Sequence, residues 1–548
     1  MKWFIVLMAA LIFLAFAVYG FKWAFVPHKT VPKNRVRHQR VRVHLRLHPG
    51  KGHATLFELW LRWSRWSSWR ESAQTRPELS RWHKWRHWTE HSVLLGRAQW
   101  FRRVWMTVQE NVLLISLPGM GKTGWLADAI ASYPGAVVCT SIKDDLYRLT
   151  SGIRVLTGPI LMFNPEGFGG WPSSFAWNVI DGCEDITVAT RRAESLCGSV
   201  SVDGMEDGSF WAGKATQMLQ ALFHAAALGQ KDLRHVTAWV FGDDSEAKEI
   251  LTQAGSVQMA LSLNELHNAL ADKTADVFKM VLTRALAFMN VPRLAKSVLP
   301  QVGAGFDIRK FIGDKGTLYL IATGDQRESL LAPLFATMIN EIKFEGALMA
   351  MEQPPTLLRR LLHLAAPKQI KLSRLSPPLG FFLDEATQIA PVPIDQWIPA
   401  VRGIGIEIFV VVHGVAQLRK RYGKDGAQII LDTSAVKMVM PGVTDDELLN
   451  AISTMCGPVY YGNNDQGHRN QYNLMDSGMI RQLPPGRALI VRQGFSPVIA
   501  KTPRIWDGAT YKTAKRRGRL IAPITPPVPV IGLKAPQSPP NAIEGEAA

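Results

Sequence analysis

Short apolar runs alternate with amphipathic stretches from residue 112 onward, and this alternation predicts a parallel α/β sheet. An apolar run of about four to eight residues bounded by turn signals is typical of a buried strand. Eight runs fit this description: Val112–Leu117, Ala136–Thr140, Ile160–Phe163, Thr317–Ala322, Gly380–Asp384, Glu407–Val412, Val436–Met440 and Ala488–Arg492. The predicted fold class is α/β, with a mostly parallel, doubly wound sheet.

Three parts of the chain depart from this alternation. From about residue 185 to 300, alanine and leucine at helical spacing predict an inserted all-helical domain, with one possible strand around Trp239. The prolines and basic residues of 352–378 predict a linker or surface excursion. Beyond about Lys515 the chain becomes rich in proline, which predicts a disordered tail.

The N-terminal end predicts a membrane anchor. Trp3–Phe21 is apolar and uncharged, and a helix of about 20 such residues spans a bilayer. A cleaved signal peptide is the alternative, because Ala15-Phe16-Ala17 imitates a cleavage site. Lys2 precedes the span, whereas basic residues follow it in excess, which by the positive-inside rule keeps the bulk of the chain in the cytoplasm. We therefore expect a single-pass protein of the plasma (inner) membrane.

A basic, tryptophan-rich region lies between this span and the predicted α/β sheet. Tryptophan recurs at every third position in two series: Trp60, Trp63, Trp66 and Trp69, then Trp82, Trp85 and Trp88. On a helix, four residues spaced by three sweep roughly half of the surface. One interpretation is a helix at the lipid headgroup level, with arginines facing anionic lipid. A helical hairpin packed on the catalytic domain and a direct DNA contact are the alternatives.

Charge and composition narrow the function classes. A net charge of +18 over 548 residues predicts a polyanionic partner, either nucleic acid or an anionic membrane surface. The 47% content of hydrophobic residues excludes a mostly disordered protein. The four cysteines lack metal-ligand spacing, so we expect reduced, buried thiols.

The strongest chemical signal is the segment Ser116–Thr123, where a strand, a glycine loop and a helix follow one another as in a phosphate-binding P-loop. Its glycines let backbone N–H groups surround a phosphate, Lys122 adds a positive charge, and the Thr123 hydroxyl can bind Mg²⁺. The pattern departs once, because Ser116 stands where the full motif has glycine. An ordinary Gly-Lys turn is the alternative. The predicted cofactors are ATP and Mg²⁺, and the predicted nucleotide-binding residues are Pro118, Gly119, Met120, Gly121, Lys122, Thr123 and Gly124.

A second nucleotide motif is predicted at Gly380–Ala386, an apolar strand that ends in two carboxylates. This is the pattern of a Walker B element. Asp384 would hold Mg²⁺ directly or through water, and Glu385 would activate the attacking water as general base. Acidic residues in the first turn of a helix are the alternative.

Taken in order, these motifs resemble the type IV secretion coupling proteins, the conjugative DNA-transfer ATPases of the TraG/TraD kind, and most closely their actinobacterial branch. The similarity runs from about Asn111 to Ile505. Besides the two nucleotide motifs, it rests on Thr140–Leu146, Phe163-Asn164-Pro165, Trp177-Asn178, Phe210-Trp211, Arg402–Ile406, His413-Gly414, Ala416-Gln417-Leu418 and Arg421-Tyr422-Gly423.

The resemblance implies a RecA-like P-loop NTPase that forms a hexameric ring at the membrane. It would couple a relaxase–DNA complex to a type IV secretion channel and drive single-stranded DNA transfer in conjugation, contacting DNA without base specificity. An FtsK-like double-stranded DNA translocase and a nucleotide-gated cargo receptor with little pumping are the alternatives. The predicted domains are the anchor 1–22, the basic region 23–106, the nucleotide-binding parts 107–184 and 301–514, the all-helical domain 185–300 and the tail 515–548.

Two further residues complete the predicted catalytic set with Lys122 and Glu385. His413 stands where many family members have a glutamine that resembles the polar sensor of RecA-like motors, and histidine can also donate to a γ-phosphate. A structural histidine is the alternative. Arg402 is a candidate to reach the γ-phosphate in a neighbouring subunit. The alternative is that Arg402 ends a helix just before Gly403, where the helix dipole favours a positive charge.

Overall fold

The computed structural model describes residues 53–76, 78–98, 102–202, 207–271, 276–299, 305–323, 329–352, 374–463 and 469–525. Its strands are β1 (Ser92–Arg97), β2 (Arg103–Thr107), β3 (Val112–Ile115), β4 (Ala136–Ser141), β5 (Ile160–Phe163), β6 (Thr317–Ile321), β7 (Leu379–Asp384), β8 (Ile406–Val412), β9 (Val436–Val439), β10 (Pro458–Asn463), β11 (Arg469–Asn473), β12 (Arg487–Arg492) and β13 (Val498–Lys501).

The helices occupy the segments between these strands and the region before β6. They are α1 (Leu56–Leu61), α2 (Arg65–Thr75), α3 (Arg81–Arg86), α4 (Lys122–Ser132), α5 (Asp145–Arg154), α6 (Ile186–Gly198), α7 (Gly208–Leu228), α8 (Leu233–Phe241), α9 (Ser245–Gln253), α10 (Val257–Ala271), α11 (Asp276–Ala285), α12 (Pro292–Ala295), α13 (Ile308–Gly313), α14 (Ala332–Glu352), α15 (Ala386–Ile389), α16 (Ile394–Val401), α17 (Val415–Thr433), α18 (Asp446–Cys456), α19 (Ser477–Arg481) and α20 (Ala509–Arg516).

One large sheet organises the α/β part of the chain, with strand order β2-β1-β13-β12-β9-β3-β8-β7-β4-β6-β5. From β9 to β5 all neighbouring pairs are parallel. At the other end, β12, β13, β1 and β2 add antiparallel strands. The prediction of a mostly parallel α/β sheet is therefore confirmed, and all eight predicted strands are present within two residues of their expected ends. The antiparallel direction of β12 and the strands β1, β2 and β13 were not predicted.

Strand β3 shows why the apolar runs form the centre of this sheet. All four of its residues are buried. Leu113 and Ile115 belong to the core on one face, while Val112 and Leu114 belong to the core on the other. Because parallel strands are covered by helices on both faces, successive apolar side chains all find a core.

The elements that the structure describes between residues 186 and 295 are all helices, as the alanine and leucine spacing predicts. The prediction of a possible strand around Trp239 is wrong, because Trp239 lies in α8. Leu233, Val236, Trp239 and Val240 are the buried residues of that helix. Their spacing of three and four residues is the helical period, although the local sequence is rich in β-branched and aromatic residues. The division of the chain into domains stays a prediction.

The tryptophan-rich region forms three short helices rather than one continuous helix through Trp60 and Trp69. The break falls at residues 62–64, where the Ser64 hydroxyl accepts a hydrogen bond from the Trp66 backbone N–H and caps α2. Trp63, at this break, is fully buried and contacts Phe495 with ring centres 5.0 Å apart. Trp63 thus packs against the part of the chain that carries the large sheet, while the role of the region stays a prediction. Four other tryptophans are exposed: Trp60, Trp66, Trp82 and Trp85.

Two predicted segments lie wholly or mostly outside the described residues, the apolar span Trp3–Phe21 and the linker 352–378. Among the residues that the structure describes, none of the helices has the length and apolar character needed to cross a membrane. The four cysteines are buried and free, as expected.

The segment 519–525 packs on the sheet, although a disordered tail was predicted from residue 515. The Tyr147 hydroxyl donates to the Ala522 carbonyl oxygen at 2.7 Å. The backbone N–H of Thr525 donates to Ile160 on β5 at 2.8 Å. Proline content alone therefore placed the start of the tail too early, and residues 526–548 lie outside the described part.

Candidate nucleotide site

The P-loop follows β3 and leads into α4, as predicted. Gly119 and Gly121 have φ values of +80° and +101°. Glycine adopts this left-handed region without the steric cost that a side chain brings. The loop therefore leads its backbone into the first turn of α4, whose N–H groups and helix dipole favour an anion.

Lys122 contacts both carboxylates of the second motif. Its Nζ atom donates to Asp384 Oδ1 at 3.0 Å and to Glu385 Oε1 at 2.7 Å. This happens because β3 and β7 both border β8 in the parallel part of the sheet, so their carboxyl ends meet at one edge. Burial by itself lowers the pKa of Lys122, but the two carboxylates outweigh it and raise that pKa above its usual range. The lysine is therefore held as a cation.

Glu385 has an unusual conformation between β7 and α15. Its φ of 55° lies in the left-handed region, which costs a non-glycine residue of the order of 1 kcal/mol. Its side chain is only 3% exposed. Oε1 takes the contacts to Lys122 and His413, whereas Oε2 is buried with no hydrogen-bond partner among the described residues. One carboxylate oxygen thus keeps an unused acceptor position, although it is shielded from solvent in this arrangement.

His413 connects the P-loop to Glu385. It follows directly after β8, and its ring lies between two oxygen acceptors. Nδ1 is 3.0 Å from the Ser116 carbonyl oxygen, and Nε2 is 2.8 Å from Glu385 Oε1. The Ser116 backbone N–H also donates to the Val412 carbonyl oxygen at 3.0 Å, and neither contact of Ser116 depends on its side chain.

A cavity of about 540 Å³ surrounds these groups. All seven predicted nucleotide-binding residues line it, together with Asp384, Glu385 and His413. Thr123 and Asp384 supply the oxygen atoms that would hold Mg²⁺. This donor set fits, because Mg²⁺ in NTPase sites takes one or two protein ligands and completes its shell with phosphate and water.

Sequence reasoning missed one wall of this cavity. Pro485, Gly486, Arg504 and Trp506 also line it. The Trp506 ring lies so close to the P-loop helix that a Cβ atom on Gly124 would come within 2.8 Å of it. No local signal marks these residues, because they come from loops next to the unpredicted antiparallel strands.

Arg402 does not join this cavity. It is exposed at the end of α16, directly before β8. Because β8 is parallel to β3, the residues before β8 lie at the edge of the sheet opposite the P-loop. A role of Arg402 in the cavity of its own chain is therefore excluded, and a role in a neighbouring subunit stays a prediction.

Known proteins resemble this chain in part of its sequence and in its fold. Residues 378–485 match the family model described as the TraM recognition site of TraD and TraG. This segment contains Asp384, Glu385 and His413, but not the P-loop. A search of the curated proteins gives no significant match.

Three solved structures of the conjugative coupling protein TrwB show the same fold. TrwB in complex with the non-hydrolysable GTP analogue GDPNP is 16% identical with a TM-score of 0.50, over 72% of this chain and 85% of that chain. The unbound monoclinic form of TrwBdeltaN70 is 17% identical with a TM-score of 0.50, over 71% and 84%. TrwB with ADP and Mg²⁺ is 16% identical with a TM-score of 0.50, over 72% and 84%.

These findings agree with the resemblance predicted from the motifs, while its actinobacterial branch stays a prediction. The structural likeness concerns the fold, and the family match concerns the segment that carries the second nucleotide motif and His413. The chain is thus similar to the type IV secretion coupling proteins, in fold to TrwB and in sequence, over residues 378–485, to TraD and TraG.

Proposed function

We propose that the protein is a membrane-anchored P-loop ATPase that couples a relaxase–DNA complex to a type IV secretion channel and drives single-stranded DNA transfer in conjugation. The observation that supports this most directly is the contact of Lys122 with Asp384 and Glu385 inside a 540 Å³ cavity. It joins the P-loop to the predicted metal ligand and general base.

Phosphate binding would begin with an exchange of partners at Lys122. The lysine is 13% exposed and faces the cavity, so it can turn from the carboxylates to the β- and γ-phosphates of ATP. The backbone N–H groups of residues 119–123 and the dipole of α4 favour the same phosphates. Bound Mg²⁺ would neutralise phosphate charge.

Hydrolysis would then depend on Glu385. Once Lys122 leaves its carboxylate, Glu385, which lines the cavity, can accept the proton of a water molecule placed in line with the γ-phosphate. His413 holds the other oxygen at 2.8 Å and so fixes the direction of the carboxylate. The geometry supports general-base catalysis by Glu385 with His413 as its positioning residue.

The proposal also covers the oligomeric state, the membrane and the partners of the protein. We propose a homohexameric ring, anchored in the plasma (inner) membrane by the N-terminal span, with membrane lipid near the exposed tryptophans. The net charge of +18 favours non-specific contacts with DNA phosphates. The match of 378–485 to a TraM recognition model suggests that this segment docks a relaxosome protein.

ATP hydrolysis by the purified full chain, measured with and without single-stranded and double-stranded DNA, tests the function. Lys122→Ala and Glu385→Gln should each abolish DNA-stimulated hydrolysis and transfer, whereas Glu249→Gln on the exposed surface of α9 should leave both unchanged. Stimulation by double-stranded DNA alone would favour the FtsK-like translocase. Normal transfer by the Glu385→Gln variant would favour the nucleotide-gated receptor.

A further inference from the structure

The helix α3 exposes its tryptophans and buries its lysine. Lys84 is buried, whereas the other five residues of the helix are exposed. Trp82 is 67% exposed and Trp85 is 51% exposed. A surface helix of a water-soluble protein normally does the opposite and turns its large apolar side chains toward the core. The helix α3 therefore presents an aromatic face that the described part of the chain does not cover.

Hydrogen bonds to α2 hold this face in place. The Lys84 Nζ atom donates to the Ser72 carbonyl oxygen at 2.8 Å. The Trp69 indole N–H donates to the Arg81 carbonyl oxygen at 3.3 Å. The two tryptophan rings of α3 stack on one another, with their centres 5.5 Å apart. The exposed rings are thus positioned by the fold and do not project from a free segment.

Arginines surround the exposed tryptophans. On α2, the Trp66 ring is 47% exposed and lies 5.8 Å from the ring of Trp69, which reaches α3 at Arg81. We call the exposed residues of the two helices the tryptophan face, and its members are Arg65, Trp66, Arg70, Arg81, Trp82, Trp85 and Arg86. Tryptophan favours the boundary between water and lipid, and arginine favours anionic headgroups. The composition of the face therefore fits an anionic lipid surface.

The tryptophan face is attached at the edge of the sheet opposite the P-loop. Arg492, the last residue of β12, pairs with Val436, the first residue of β9. Because β9 is parallel to β3, this is the edge where β3 begins, whereas the P-loop follows the end of β3. The Arg492 Nη2 atom lies 3.4 Å from Glu71 Oε2 of α2. The helix α2, and α3 with it, is therefore held on the side of the sheet that lies away from the nucleotide cavity.

The N-terminal segment joins the described structure at the same edge. The Ala54 backbone N–H donates to the Pro497 carbonyl oxygen at 3.1 Å, in the turn that follows Arg492 and connects β12 to β13. Residues 1–52 precede this point, carry the predicted span Trp3–Phe21 and lie outside the described residues. The predicted span and the tryptophan face thus share one edge of the sheet. A bilayer that holds the span is therefore the surface that this face fits.

We propose that the tryptophan face docks on an anionic lipid surface at the headgroup level, as a second membrane contact besides the N-terminal span. The inference rests on the proposed membrane anchoring and adds the residues and the class of lipid. Docking places the tryptophan rings at the boundary between water and lipid and the arginines beside lipid phosphates. It also holds the sheet with its P-loop edge facing away from the bilayer.

A fluorescent label on the face tests the docking in the full chain. The four native cysteines are buried, so a single exposed cysteine can be labelled with the environment-sensitive dye NBD. His83→Cys places the dye on the exposed side of α3, and Glu249→Cys places it on the exposed surface of α9 as the control. Each protein is reconstituted into vesicles of phosphatidylcholine, either alone or mixed with phosphatidylglycerol in equal parts. We expect a blue shift and quenching by nitroxide-labelled lipid only for the dye at position 83, and only with phosphatidylglycerol.

A pair of charge variants, made together with His83→Cys, tests the arginines. Arg81→Gln with Arg86→Gln removes two charges from the face. Lys512→Gln with Lys515→Gln removes two charges from exposed residues of α20 and is the matched control. The docking equilibrium constant is obtained from the fraction of dye that nitroxide-labelled lipid quenches. The face variant should lower this constant by at least about tenfold, whereas the control should leave it unchanged.

The variant Trp82→Ser with Trp85→Ser tests the rings. It should unfold at the same temperature as the wild type, because both side chains are exposed. It should nevertheless lose the quenching by nitroxide-labelled lipid. Unchanged quenching in this variant and in the arginine variant would refute the docking.

The outcomes also distinguish the tryptophan face from the anchor. If the full chain stays in the vesicles while the dye at position 83 remains accessible to iodide, the lipid assignment of the face fails and the proposed anchoring stands. If oligothymidylate shields the dye and phosphatidylglycerol does not, the face binds DNA and the lipid assignment is wrong. If the dye is already shielded in detergent, a segment of the protein itself covers the face, which also overturns the assignment. If the full chain does not associate with vesicles, the proposed membrane anchoring fails as well.

Discussion

Replacing Lys122 with alanine tests the electrostatic design of the nucleotide site without nucleotide. Lys122 balances Asp384 and Glu385, whose side chains are only 8% and 3% exposed. Removing one partner of a buried ion pair costs about 3–5 kcal/mol, because the remaining charge stays desolvated. We therefore expect Lys122→Ala to destabilise the nucleotide-free protein by about this amount at neutral pH.

The pH dependence of this loss follows from the carboxyl groups. Burial raises the pKa of Asp384 even against the pull of Lys122, so removing the lysine raises that pKa further. A carboxyl group with a higher pKa in the folded state than in the unfolded state costs stability only above its unfolded pKa, about 3.9 for aspartate. The loss should be full at neutral pH, shrink as the pH falls through the folded pKa, and vanish near pH 4.

Urea unfolding of the full chain between about pH 4 and pH 8 measures how much stability the Lys122→Ala variant loses at each pH. Lys143→Ala is the matched control, because Lys143 lines the same cavity but is exposed, and a surface change of this kind stays within about 0.5 kcal/mol. Adding Glu385→Gln to Lys122→Ala should restore part of the lost stability. A loss that is equal at every pH, or that Glu385→Gln does not reduce, would refute the account of an unbalanced buried charge.

Three further predictions concern hydrolysis, packing and the missed wall of the site. Glu385→Gln should lower kcat by about 10²–10⁴-fold with nucleotide binding retained, measured by steady-state hydrolysis and by titration with a fluorescent ATP analogue. Trp63→Ala should destabilise the protein by about 3–5 kcal/mol, because it empties a fully buried site, whereas the exposed Trp82→Ala should cost less than about 0.5 kcal/mol in thermal unfolding. Gly124→Ala should weaken ATP-analogue binding by forcing Trp506 away, and adding Trp506→Leu to this variant should restore binding. Equal binding by the wild type, the single variant and the double variant would contradict this contact.

The sequence predicts the central sheet well because each parallel strand is a continuous apolar run with both faces buried. The antiparallel strands were missed for the opposite reason. β1 and β2 are short and lie in a region rich in arginine and tryptophan; β1 ends at Arg97 and β2 begins at Arg103. β13 pairs with β1, and the paired residues Arg97 and Lys501 are about 400 positions apart, which no local pattern reveals.

The candidate nucleotide site also has one part that the sequence predicts and one part that it does not. Lys122, Asp384 and Glu385 were expected together, because both motifs sit at the carboxyl ends of parallel strands. His413 was expected beside them only from a family resemblance, and the contact of its ring with the Ser116 carbonyl was not foreseen. Trp506 reaches the cavity because the chain returns to the P-loop helix after β13. That approach depends on tertiary packing, which a residue pattern does not encode.

The segment 519–525 has a consequence for assembly. It packs along α5 and reaches β5, the strand at one end of the sheet order, at Ile160, which exchanges hydrogen bonds with Thr525 through the backbone N–H of each residue. The chain comes so close to α5 at Gly152 that a Cβ there would overlap the Arg519 carbonyl oxygen. An uncovered edge strand invites pairing with another chain. Thr525 occupies the backbone groups of Ile160, and Ser174 occupies those of Met162, so pairing of β5 with a second chain is hindered at this edge.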